Sequence, residues 1–334
     1  MKKKILNYVL LALVTMLVLY FSLKDNYREI ISQILTMNIW YLLLAFILLI
    51  IFWLFRTYPM YSFCKKINKT FKYSDAFLLT LRTQFFNAVT PFATGGQPYQ
   101  IYYIKKCGLN YAESTSVVLE NFIVYQIALV LLGLISLFTN KIFHIFKNVL
   151  FLQKLIALGF VINTLVIVVM FIVAFSKSMN KKLINFQINL LSKLHLVKNR
   201  EETLEKWNTN INNFHKSAKI LLKNKKSFII NILCNLVALS SLYLIPLFIL
   251  YAIGDFKSVQ GLISIVTSAY IMIIGSFVPI PGATGGLEYG FLQFYGNFVS
   301  GSKLKALMLV WRFITYYFGM IMGAIALNIK RVKK

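Results

Sequence analysis

Acidic side chains are scarce in this sequence: Asp and Glu total 10, against 36 Lys and Arg. Cysteine is nearly absent too. Cys64, Cys107 and Cys234 lie far apart and form no C-x-x-C pair, which excludes a disulfide framework and a thiolate metal site. The three histidines (His144, His195, His215) have no ligand spacing, so no metal and no cofactor is expected. There is no G-x-x-x-x-G-K-[ST] loop to cradle the phosphates of ATP and no H-E-x-x-H zinc motif. No nucleophile, base and orienting group can be assembled from the remaining residues. The chain is therefore expected not to be an enzyme.

What it has in abundance is apolar side chain. Of 334 residues 58% are hydrophobic, and the formal net charge is +26. A soluble domain does not combine those figures. Roughly 20 apolar residues at 1.5 Å each cross a hydrocarbon core of about 30 Å. Six runs reach that length, at 5–23, 39–60, 113–138, 151–175, 228–253 and 304–328. The fold class is an all-α polytopic membrane protein. Lys2-Lys3-Lys4 resemble the start of a signal peptide, but no small-residue cleavage site follows, and 5–23 is read as a retained helix. The lysines sit in loops between the runs, where they orient a membrane protein, and nucleic acid is not an expected partner. Both termini and the basic loop between runs four and five are placed in the cytoplasm.

Proline is also sparse, at six residues, and four of them (Pro91, Pro98, Pro279, Pro281) cluster at two places. There the phrase P-x-A-T-G-G-x-x-Y occurs twice, as PFATGGQPY from Pro91 and PGATGGLEY from Pro281. Proline removes a backbone donor and glycine permits positive φ, so a helix must stop at each. The flanking arms are too short for clean spans. Each pair of arms is read as a hairpin that dips into the membrane and returns, with eight full spans as the rival arrangement. With hairpins, each half runs span, span, hairpin, span, and the halves enter from opposite sides. The chain is then one transmembrane unit over 1–334, with inverted repeats at 5–138 and 151–328. Paired interruptions in two halves point to a transporter's binding site. A cytoplasmic insertion at 178–226 carries Leu204, Trp207, Ile211, Phe214, Ala218 and Leu221 at three-to-four spacing, an amphipathic helix suited to a membrane surface or to neighbouring helices.

The candidate site residues follow. Thr94 and Thr284 are expected N-caps, with Thr94-x-x-Gln97 fitting a capping box. Gly95, Gly96, Gly285 and Gly286 would let helix N-termini offer free amides to an anion; mere kinks or tight helix contacts are the alternative. Thr80, Thr83, Gln84, Asn87 and Thr90 form a polar stripe along the first arm. Arg82, Glu120, Glu288 and Arg312 lie in or near apolar runs, where each costs roughly 2.5–3.5 kcal/mol unless paired or hydrated. They are either structural ion pairs or contacts to a headgroup, the arginines to its phosphate. Gly319-x-x-x-Gly323 is a close-packing seam on the same face as Arg312, Thr315 and Tyr316.

The same residues carry a family resemblance. TPFATGGQPYQIYYIKKCG (90–108), VPIPGATGGLEYGF (278–291) and VWRFITYYFGMIMG (310–323) resemble the Gram-positive branch of the flippase-like family built around the transmembrane region of lysylphosphatidylglycerol synthases. The likeness runs over about 5–328. It implies a lipid translocase of the bacterial cytoplasmic membrane that moves lysyl-phosphatidylglycerol or another anionic or aminoacylated phospholipid between leaflets, blunting cationic antimicrobial peptides. It also marks Gly95, Gly96, Gln97, Pro98, Gly285, Gly286, Glu288 and Arg312 as substrate-binding positions; Arg82 and Glu120 rest on the charge argument. The sequence stops six residues after the last run, so the family's soluble aminoacyltransferase domain is expected to be missing. Expected partners are membrane phospholipid headgroups. A separate lipid synthase and a second copy of the chain remain open, as do a role in aminoacyl-lipid synthesis and a scaffolding role.

Overall fold

Long apolar stretches set the helices, and polar side chains set their ends. The computed structural model describes residues 27–146, 150–176, 224–276 and 278–329, with the single positions 178, 212 and 215. The expected span at 5–23 and, apart from the single positions 212 and 215, the amphipathic stretch at 204–221 lie outside the described residues. Among the described residues the regular elements are helical, with no strand. They are α1 (Tyr27–Leu35), α2 (Ile39–Ile67), α3 (Tyr73–Ala88), a 3-10 turn (Pro91–Ala93), α4 (Gly96–Lys106), α5 (Tyr111–Phe143), α6 (Leu150–Phe175), α7 (Lys225–Ala252), α8 (Gly261–Gly275), a second 3-10 turn (Pro281–Ala283), α9 (Gly286–Tyr295) and α10 (Gly301–Asn328). α2, α5, α7 and α10 are each long and apolar enough to cross a membrane. They coincide with four of the runs read from sequence, and α6, with 26 residues, covers a fifth. The chain is a multi-pass α-helical membrane protein.

Asparagine starts three of the long helices. Asn38 Oδ1 accepts from the Trp40 amide at 3.0 Å, and Asn224 Oδ1 from the Ser227 amide at 3.0 Å. Asn110 and Glu113 each accept from the other's backbone N–H, at 2.9 and 2.8 Å. These acceptors serve amides that have no partner inside a helix, a contribution of about 1 kcal/mol each.

Each interrupted segment is a helical hairpin with short arms. Their arms have 16 and 11 residues in the first case, 15 and 10 in the second, all under the roughly 20 that a crossing needs. Each pair of arms packs antiparallel. In the first, the Gln100 amide donates to Thr83 Oγ1 at 3.3 Å and the Phe86 and Tyr99 rings stack with centroids 4.2 Å apart. In the second, Gly275 lies against Leu287, the Tyr270 and Phe294 rings meet at 5.6 Å, and Tyr295 Oη bonds Ser264 and Ser268 at 3.0 and 3.1 Å.

One order therefore occurs twice: long helix, hairpin, long helix, as α2–α3–α4–α5 and α7–α8–α9–α10. α2 and α7 pack along each other, and the two 3-10 turns touch. Of the glycine seam read from sequence, Gly323 makes the close approach, whereas a Cβ on Gly319 would lie 3.9 Å from Trp53, an ordinary contact. A Cβ on Gly323 would lie 2.6 Å from the Leu81 carbonyl oxygen, so α10 approaches the α3 backbone to glycine distance there.

Candidate functional site

The two turns are built alike. Their second and third residues have positive φ: 51° and 53° at Phe92 and Ala93, 66° and 51° at Gly282 and Ala283. For an L-residue this conformation costs roughly 1–2 kcal/mol, so packing must hold it in place. Each turn is closed by its threonine. Thr94 Oγ1 donates to the Pro91 carbonyl and Thr284 Oγ1 to the Pro281 carbonyl, both at 2.9 Å. That corrects the expected capping roles. Both hydroxyls are spent backwards on the proline carbonyl of their own turn. Gly95 and Gly285 are the N-caps. The Thr94–Gln97 capping box does not form, because the Thr94 amide and hydroxyl both donate to the Pro91 carbonyl, at 3.1 and 2.9 Å; the Gly95 amide donates to Thr90 Oγ1 at 2.9 Å. In the second turn the Gly285 amide donates to Glu288 Oε2 at 2.7 Å.

Glu288 is itself held. Arg312 Nε meets its Oε1 at 2.6 Å, and both side chains are buried. Arg312 Nη2 also donates to the Gly282 carbonyl at 3.0 Å and to Thr284 Oγ1 at 3.4 Å. Its guanidinium carbon lies 4.7 Å from the centre of the Tyr316 ring. Tyr316 Oη donates to the Ala88 carbonyl at 3.0 Å, and a Cβ on Gly282 would fall 2.3 Å from that ring. Arg312 and Tyr316 thus fasten the second turn to α10 and to the end of α3. A π-turn at Phe313–Tyr317 interrupts α10 just after Arg312, where Thr315 and Tyr316 turn inward.

Between the hairpins lies a cavity of about 570 Å³. Thr80, Thr83, Gln84 and Asn87 line it from α3, and Phe92, Thr94 and Gln97 from the first turn and the start of α4. Gly282, Arg312, Thr315 and Tyr316 line it from the other half. Arg56 of α2, Asn121 and Tyr125 of α5 and Ser268 of α8 add to the polar wall, and Phe52, Met60, Phe122 and Leu242 are among its apolar residues. Irregular backbone inside a membrane is tolerated where it is buried in protein or lines such a space.

Residues 7–323 match the model of a family described as the lysylphosphatidylglycerol synthase TM region. The chain belongs to that family. It is also 27% identical to a UPF0104 membrane protein of Archaeoglobus fulgidus, over 96% of each chain.

In this member of the lysylphosphatidylglycerol synthase transmembrane family, the residues singled out from sequence divide into three groups. Thr94, Gln97 and Arg312 line the cavity. Most of the α3 polar stripe joins them, Thr90 being diverted to the Gly95 amide. Gly95, Gly96, Gly285, Gly286 and Glu288 build the turns. A Cβ on Gly96 would meet Asn87 Oδ1 at 2.1 Å, and one on Gly286 would meet Val278 Cγ2 at 2.2 Å. Pro98 sits in the first turn of α4, where its missing N–H costs nothing.

Arg82 and Glu120 do not line the cavity. Arg82 Nε and Nη2 donate to the Ala326 and Ile329 carbonyls at 2.9 and 2.6 Å, so its charge closes the C-terminal end of α10. Glu120 is fully buried outside the cavity lining, and neither carboxylate oxygen finds a hydrogen-bond partner among the described residues. Sequence reading missed Arg56, Asn121 and Asn235. Arg56 sits inside a run read as a plain span. The available signal was the cost of an arginine within an otherwise apolar helix.

Proposed function

We propose that the protein is a lipid translocase of the bacterial cytoplasmic membrane, with both termini cytoplasmic. A phospholipid headgroup occupies the cavity while its tails stay in the bilayer. Rocking of one half against the other, about the α2–α7 contact, opens the cavity to each leaflet in turn. The observation that carries this reading is the meeting of the two turns at one cavity with a polar stripe on one wall. A charged headgroup has no stable position in hydrocarbon, and a continuous set of hydroxyls, amides and guanidinium groups lowers the cost of its passage. The positive-inside pattern of the loops supports the orientation, and the family match supports a lipid as cargo.

The test is a gene deletion followed by leaflet-resolved lipid analysis. Loss of the protein is expected to shift a phospholipid towards the cytoplasmic leaflet at unchanged total amount. Membership of a family defined by lysylphosphatidylglycerol synthases supports a second reading, a part in aminoacyl-lipid synthesis. Under that reading the deletion lowers the total of an aminoacylated lipid, and purified protein with charged tRNA and phosphatidylglycerol forms product. An unchanged leaflet distribution and an unchanged total would leave a scaffolding role.

A further inference from the structure

The charged residues lining the cavity are Arg56 and Arg312, and their surroundings differ. Arg312 is neutralised by Glu288 at 2.6 Å and spends its Nη2 on the second turn. Arg56 has neutral partners. Its Nη1 donates to Asn121 Oδ1 at 3.3 Å and Asn235 Oδ1 at 3.2 Å, and its guanidinium carbon stands 4.3 Å from the centre of the Tyr125 ring. These contacts, from α5 and α7, fix the group's position without cancelling its charge. Among the described residues no carboxylate pairs with it, and its Nε and Nη2 make no hydrogen bond. Glu120, the nearest acidic residue along α5, does not line the cavity. The described wall therefore holds one uncompensated positive charge and no uncompensated negative one.

A guanidinium held by one nitrogen, with two donor positions left over, fits the paired oxygens of a phosphate. Arginine in an apolar span is costly, and an anion seated against it offsets that cost. An ammonium in the same space meets a net positive wall and no carboxylate. We infer that Arg56 is the anion receptor of the cavity and selects headgroups of net negative charge, a phosphate diester without an added amine, against aminoacylated headgroups of net positive charge. Arg312, by contrast, is a positioning residue for the second turn.

This rests on the lipid-translocase reading, and binding separates the two. Purified full-length protein in detergent is titrated with short-chain phosphatidylglycerol, phosphatidylcholine, lysyl-phosphatidylglycerol and inorganic phosphate, read by thermal shift. Phosphatidylglycerol is expected to bind tightest, and Arg56→Gln to weaken it by about tenfold or more and to remove most of its advantage over phosphatidylcholine. Arg56→Lys, which keeps the charge and loses the fork, is expected to retain the preference at reduced affinity. Binding of phosphate alone as tight as that of the lipid would reassign the site to a soluble anion and overturn the headgroup claim. Lysyl-phosphatidylglycerol bound as tightly as phosphatidylglycerol by the unaltered protein would overturn the selectivity, whatever the fate of the variants. If the binding preference holds but no lipid crosses proteoliposomes faster than protein-free vesicles, the translocase reading falls and the receptor stands.

Discussion

The two copies of P-x-A-T-G-G-x-x-Y share positive φ at their second and third residues, part at the fourth and fifth, where Thr94 and Gly95 are helical while Thr284 is extended and Gly285 has φ 89°, and are held by different means. The first is held locally: Thr90, five residues upstream, accepts from the Gly95 amide, and the turn's residues Phe92 and Thr94 are exposed. The second is held from a distance: Glu288 accepts from the Gly285 amide, and Arg312 holds Glu288 from another helix. The motif's eighth position explains the split. It is Pro98 in the first copy, with no side-chain acceptor, and Glu288 in the second. A buried carboxylate requires a cation, and α10 supplies one. One turn is left open to the cavity while the other is clamped, so the first turn is the better candidate for the moving part.

The largest effect expected from breaking this contrast is at the clamp. Arg312→Ala or Glu288→Ala leaves a buried charge without its partner, a loss of about 3–5 kcal/mol. The double replacement Arg312→Met with Glu288→Leu is expected to cost less than either single change. Thermal unfolding in detergent micelles reads both; a double variant as unstable as the singles would mean that the hydrogen bonds to Gly282 and Gly285 matter more than the charges.

Next in size is a reciprocal exchange at the second motif position. Gly282→Ala forces a Cβ to 2.3 Å from the Tyr316 ring at a φ of 66°, a loss of about 1–3 kcal/mol. Phe92→Gly relieves a left-handed L-residue whose side chain is exposed. Its expected change in stability is within about 1 kcal/mol, since the relief of backbone strain and the entropy of glycine oppose each other. Equal losses from the two substitutions would contradict the asymmetry.

A smaller test separates contact from conformation at the N-caps. Gly95 has φ −76°, and its added Cβ would meet Thr90 Cγ2 at 2.7 Å. Gly285 has φ 89° with nothing within 4 Å of its added Cβ. Both alanine substitutions are expected to destabilise by about 1–2 kcal/mol, but for different reasons. Thr90→Ser removes the methyl and keeps the acceptor for the Gly95 amide. It should restore part of the loss in Gly95→Ala and none of it in Gly285→Ala, a difference measurable by the same unfolding transitions.

Much of this architecture was legible in the sequence because lipid imposes length. Spans need about 20 apolar residues, and the arms around each glycine phrase were too short, so hairpins could be read before any coordinates. The polar stripe of α3 and the close approach at Gly323 of α10 followed from helical spacing alone. Side-chain partnerships did not. Thr94 and Thr284 looked like caps because their type and position were right, yet a hydroxyl bonds whichever acceptor is nearest, and here that was the carbonyl three residues back. Arg82 looked like a headgroup ligand because it is charged and intramembrane. Its actual partners, the carbonyls at the end of α10, lie more than 240 positions away in the chain. Arg56 was hidden by its apolar neighbours, and only the convergence of α2, α5 and α7 reveals that its partners are neutral.

The most direct measurement of the central claim is transbilayer movement in proteoliposomes of the full-length protein, using phosphatidylglycerol labelled on one acyl chain and a membrane-impermeant quencher. The protein is expected to expose the inner-leaflet label within minutes, with Arg56→Gln slower by about tenfold. Label that stays protected as long as in protein-free vesicles, with the protein folded and inserted, would contradict a headgroup pathway between the two turns.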